Sequence, residues 1–114
     1  MSSIFAKPKN SEVPSFKILF FHGLEGSSNG KKSVYLKNNW KAYTPQLRMK
    51  KLIDLKRDNN NKPFNKINKR DVDKALAPAL QDAREAVSYI KPDLIIGSSA
   101  GGAILMKLIS EGVV

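Results

Sequence analysis

The sequence predicts an α/β chain, a parallel sheet in a three-layer arrangement with helices on both faces. Three observations carry that expectation. The runs "FKILFF" (16–21) and "DLIIG" (93–97) are apolar without alternation, as in strands covered on both faces. Helical patterns follow each strand segment, so the order reads strand, helix, strand, helix, strand, helix. Right-handed crossovers then make the strands parallel and set 16–21 between 41–47 and 93–97.

Each element has its own signal. Residues 1–15 are polar with two prolines and read as a loose leader before one domain over 16–114. "HGLEGSSNG" (22–30) is a glycine-rich loop. "KKSVYLKNNW" (31–40) is a short helix with Ser28 or Asn29 as candidate caps. "KAYTPQL" (41–47) is a short strand that Pro45 ends. Residues 48–70 read as a basic, partly disordered loop, because of the Asn59-Asn60-Asn61 run and a length unusual inside a compact domain.

After that loop Val72, Leu76, Ala79, Leu80, Ala83, Val87 and Ile90 form one helical stripe. Pro78 does not suit a helix interior, so the regular helix is expected to begin near Ala77 or to kink there. The last helix, 100–110, should turn Ile104, Leu105, Leu108 and Ile109 inward and stop at Gly112.

Bulk composition narrows the function classes. There is no cysteine, which excludes disulfides and thiolate metal sites. No apolar run approaches the roughly 20 residues that span a bilayer. The expectation is a cytoplasmic chain with no membrane partner. The net charge is +10, and the window 41–70 holds +8 of it, ten basic residues against Asp54 and Asp58. The basic residues are 16 Lys to 4 Arg, alongside 9 Asn. That skew resembles compositional drift more than a nucleic-acid surface, where bidentate Arg is favoured. A solvated basic segment at the C-terminal rim of the strands is the preferred reading over nucleic-acid binding.

The chemistry concentrates at "GSSAG". Gly97-x-Ser99-x-Gly101 matches a nucleophile elbow, with a strand before it and a helix after it. Glycines two residues either side of Ser99 remove Cβ atoms that would collide in so tight a turn. The following helix aims its N-terminal amides at the serine oxygen, and Ala100 N–H is one oxyanion donor. A second donor should come from the loop after an earlier strand. "FFHGLEGS" supplies Leu24 N–H there, with Gly23 permitting the turn.

The rival for this loop is a phosphate-binding turn, since Gly30-Lys31-Lys32-Ser33 resembles the end of G-x-x-x-x-G-K-[ST]. It fails at Glu25 and at Lys32, and the Glu25 charge would repel phosphate. His22, the only histidine, is read as shaping the oxyanion loop. From that loop its ring would not reach the Ser99 proton at a good angle.

These residues carry a resemblance. "HGLEGSSNGKKSVYLK", "YTPQL" and "KPDLIIGSSAGGAILMKLISEG" occur in the order found in small bacterial α/β-hydrolase-fold serine esterases. The resemblance covers 16–47 and 71–112; the basic 48–70 departs from it. It implies Ser99 as nucleophile, Leu24 and Ala100 as oxyanion donors, and no cofactor or metal. The family's acid and histidine follow two further strands after the elbow helix. They are thus expected beyond Val114, which makes this the N-terminal part of a truncated hydrolase fold. The expected function is hydrolysis of a small carboxylic ester or related acyl substrate. Self-association is expected through the sheet edge at 93–97. The alternatives are a non-catalytic remnant or interaction module on the same scaffold, and a basic anion or nucleic-acid binder.

Overall fold

The computed structural model describes residues 16–114, so the leader assigned to 1–15 lies outside the described residues. The strands are β1 (Ile18–Phe21), β2 (Ala42–Tyr43) and β3 (Leu94–Gly97). The helices are α1 (Lys31–Asn39), α2 (Lys50–Asp58), α3 (Lys69–Ile90) and α4 (Ala100–Ser110), with a 3₁₀ turn at Phe64–Lys66. The sheet order is β2-β1-β3, all parallel, with Ile18 beside both Ala42 and Leu94. The alternation in the sequence therefore yields the expected α/β sheet, its central strand β1 being two residues shorter than the run 16–21.

Strand β1 is buried at all four residues, as its apolar run predicts. Leu19 and Phe21 enter the main core with Ala79, Ala83, Ile104 and Leu108 of α3 and α4. Phe20 points the other way. With Ile96 it borders a shallow recess walled by Tyr35 and Leu36 of α1.

Several expectations need correction. Strand β3 is not covered on both faces: Leu94 is 44% exposed, and the other three residues are only partly buried. Its outer flank has no neighbouring strand among the described residues. Strand β2 is two residues long rather than seven, because the chain leaves the ladder before Pro45. Helix α1 starts at Lys31 with Gly30 in the N-cap position, so neither Ser28 nor Asn29 caps it. Ile109 is exposed, while Ile104 and Leu108 are buried as expected. Gly112 does end α4, with φ +77°.

The largest correction is at 48–70, which is ordered helix and turn rather than a disordered loop. Leu47, Met49, Leu52 and Ile67 are buried, and α2 packs on α3. Arg48 fastens its entry, with its backbone N–H and Nε donating to Asp82 at 2.8 and 3.0 Å. That hydrogen bond raises the Arg48 guanidinium further above its ordinary value. The asparagine run closes α2: Asn60 and Asn61 take left-handed φ values of 57° and 59°. Asparagine tolerates that conformation better than other side chains with a Cβ. Helix α3 runs through Pro78 from Lys69, N-capped by the Asn68 side chain, so it does not begin near Ala77. The stripe Leu76, Ala79, Leu80 and Ala83 is buried on both sides of the proline, which offsets its penalty of about 3 kcal/mol.

Candidate functional site

Strand β3 ends at Gly97, and only Ser98 and Ser99 separate it from α4. The link is made at Ser99, whose φ is 57° and ψ −121°. A residue with a Cβ in this region carries strain of about 1–3 kcal/mol, which persists only when its surroundings impose it. The surroundings here are backbone. A Cβ on Gly97 would lie 2.5 Å from Gly101 O and 2.7 Å from Gly102 Cα. A Cβ on Gly101 would overlap Phe21 O and sit 2.7 Å from His22 O. Glycine at 97 and 101 is thus what lets α4 start hard against the ends of β3 and β1.

The first loop closes over the serine. An ideal Cβ on Gly23 would approach Ser99 Cβ to 3.0 Å and Ser98 O to 3.2 Å. Gly26 N–H donates to Gly23 O at 3.1 Å, which makes a tight turn with Leu24 and Glu25 at its tip. Among the described residues, the backbone N–H groups of Leu24 and Ala100 donate to no protein acceptor. Both are uncommitted donors beside the serine. Ser99 itself is exposed, and its Oγ has no hydrogen-bond partner among the described residues.

His22 is buried and committed elsewhere. Leu47 N–H donates to its Nε2 at 2.9 Å, and the Gln46 amide lies 3.3 Å from the same nitrogen. An amide N–H can only donate, so Nε2 is the acceptor and the ring proton sits on Nδ1. Nδ1–H donates to Gly23 O at 2.8 Å. The ring therefore ties the turn over Ser99 to the chain leaving β2. It has no nitrogen left for the serine.

Ser99 opens into a cleft of about 650 Å³, lined among others by Leu24, Lys32, Lys56, Phe64 and Ser98. Lys32 Nζ donates to Ser98 Oγ at 3.0 Å. Lys56 Nζ sits 5.2 Å from the Phe64 ring centre, within cation–π range. The segment 48–70 therefore borders the site through α2 and the 3₁₀ turn.

The expected residues Ser99, Leu24, Ala100, His22, Gly23, Gly97 and Gly101 all lie around one end of the sheet. Sequence reasoning missed Lys32, Lys56, Phe64 and Gln46. Lys31-Lys32 was weighed only as a nucleotide loop, and Lys56 and Phe64 lay in the stretch expected to be disordered. Among the described residues no group of three or more His, Asp or Glu is placed to hold a metal ion. No helix among them is long and apolar enough to cross a membrane. No family model, curated protein or solved structure matches the chain.

Proposed function

We propose that these residues form the nucleophile and oxyanion part of a serine hydrolase acting on a carboxylic ester or related acyl group. One observation carries this: Ser99 holds φ 57° and ψ −121° between two backbone approaches that only Gly97 and Gly101 permit. In the proposed step Ser99 Oγ bonds to the acyl carbon, and the carbonyl oxygen takes up the electron pair. Leu24 and Ala100 N–H donate to that oxygen. The Oγ proton goes to a base, which passes it to the leaving oxygen as the carbonyl reforms and the ester C–O bond breaks; water then attacks the acyl-serine, giving the acid and restoring Ser99. His22 is the only imidazole in the sequence and both its nitrogens are bonded, so His22 is not that base. The resemblance to small α/β-hydrolase esterases, on its three motifs, points the same way.

Without that base the chain should turn over p-nitrophenyl butyrate barely, at roughly the 10³–10⁴-fold residual over water left when triad members are removed elsewhere. A fluorophosphonate should label Ser99 slowly but stoichiometrically by intact mass, and Ser99→Ala should abolish the label. Absence of any label on a folded chain would favour the second reading, a scaffold that binds without reacting. That reading draws on His22, whose two ring nitrogens are both bonded away from Ser99.

A further inference from the structure

We infer that the cleft beside Ser99 takes a small ester bearing its own anionic group, a free carboxylate or a phosphate. The inference deepens the hydrolase proposal and rests on it for the chemistry, though not for the binding. It starts from three ammonium groups on one cavity. Lys31, Lys32 and Lys56 all line the cleft, and Glu25 is the sole acidic residue lining it. Among the described residues none of the three lysines pairs with a carboxylate, although most acids elsewhere are paired.

Lys32 is held where a substrate would meet it. An ammonium offers three donors. One goes to Ser98 Oγ at 3.0 Å, on the residue preceding the proposed nucleophile. Two remain for a ligand. Lys56 reaches the same cavity from α2, steered by the Phe64 ring rather than by an acid. The two lysines therefore enter the cleft from different elements.

Helix α1 sharpens the sign. It has no acid in its first turn and begins with Lys31 and Lys32. That is the reverse of what the helix dipole favours, so an anion between these groups relieves mutual repulsion. With Glu25 included, the lining keeps a net charge of +2, which suits a mono- or dianion.

The test separates binding from chemistry. Glutarate titrated into the 114-residue chain should shift the amide resonances of Gly23, Leu24, Ser99 and Ala100, while neutral glutaramide should not. Lys32→Gln and Lys56→Gln should each weaken glutarate binding about tenfold, as expected for loss of a charged hydrogen bond. Lys51→Gln, equal in charge but outside the cleft, should leave it unchanged. Inorganic phosphate binding tighter than glutarate would assign the anion as phosphate, and the converse would assign carboxylate. Equal shifts by glutarate and glutaramide, or an equal loss in Lys51→Gln, would overturn the inference. So would tighter binding of a short single-stranded oligonucleotide.

Ester labelling distinguishes the two failures. If p-nitrophenyl butyrate acylates Ser99 as fast as mono-p-nitrophenyl glutarate, the hydrolase proposal stands and the anionic substrate falls. If glutarate binds but no ester acylates Ser99, the hydrolase proposal and its anionic substrate fall together, and what remains is an anion site without chemistry.

Discussion

Leu47 N–H and His22 Nε2 meet at 2.9 Å in the interior, Leu47 at 1% and His22 at 2% exposure. The bond joins the turn over Ser99 to the start of the basic segment. Removing the ring leaves a buried amide with no acceptor. His22→Ala should therefore destabilise the chain by about 1–3 kcal/mol in urea unfolding. It should slow Ser99 labelling without ending it. Complete loss of labelling at unchanged stability would make His22 the base.

The elbow glycines separate by position. Gly97→Ala and Gly101→Ala force a methyl into backbone and should cost about 3 kcal/mol or more, at the upper end of overpacking. Gly102 has only ordinary contacts, its nearest atom being Gly97 O at 3.5 Å. Gly102→Ala should be neutral or stabilising by up to about 1 kcal/mol, the helix-propensity difference. Thermal unfolding of the three variants checks the order.

Ser99 is strained by its own Cβ. Ser99→Gly should raise stability by about 1 kcal/mol as the positive φ becomes free of cost, while removing the reactive oxygen. Ser99→Ala keeps the Cβ and should not stabilise. A Ser99→Gly variant no more stable than Ser99→Ala would contradict the strain.

Acid should weaken the fold through three exposed pairs. Hydrogen bonds from Arg84, Lys50 and Lys69 hold the carboxyls of Glu111, Asp54 and Asp73 below their ordinary values. The unfolded chain then binds more protons than the folded one in acid. Their contribution is present above the ordinary carboxylate range and is lost as pH falls through the lowered values. The urea midpoint should drop from about pH 6 to about pH 3, and Glu111→Gln should flatten part of that slope. Added salt should shrink the effect, since all three pairs are exposed.

The bare flank of β3 should drive association. Leu94 is 44% exposed, and Met106 and Ile109 on α4 are 66% and 49% exposed. Sedimentation should show concentration-dependent self-association that Leu94→Lys reduces. A monomer at all concentrations would remove self-association through this edge.

Sheet order was legible because "FKILFF" and "DLIIG" carry no alternation and the connections between them are helical. What the pattern could not tell is whether a neighbour covers the flank of Leu94, since an apolar run looks the same at an edge. Helix α2 was hidden by charge. Met49, Leu52 and Leu55 recur at helical steps, yet the lysines and arginines between them and the asparagine run that follows masked the pattern. The Asn run read as disorder because composition does not reveal that Asn60 and Asn61 serve as left-handed residues closing a helix. Ser99 and its glycines were readable because close backbone approach leaves a sequence mark. The Lys32–Ser98 contact was not, because two chain segments 66 residues apart leave none.

The pairing of β1 with β3 also has a temporal side. Lys17 N–H donates to Asp93 Oδ2 across a separation of 76 residues, and Ile18 opposes Leu94. At about 5–20 residues per second of ribosomal synthesis, Ile18 waits roughly 4–15 s for its partner strand. Helices α1, α2 and α3 form from local contacts within that interval. One flank of the most apolar strand stays unpaired meanwhile, so the nascent chain carries its greatest aggregation hazard before the serine elbow exists.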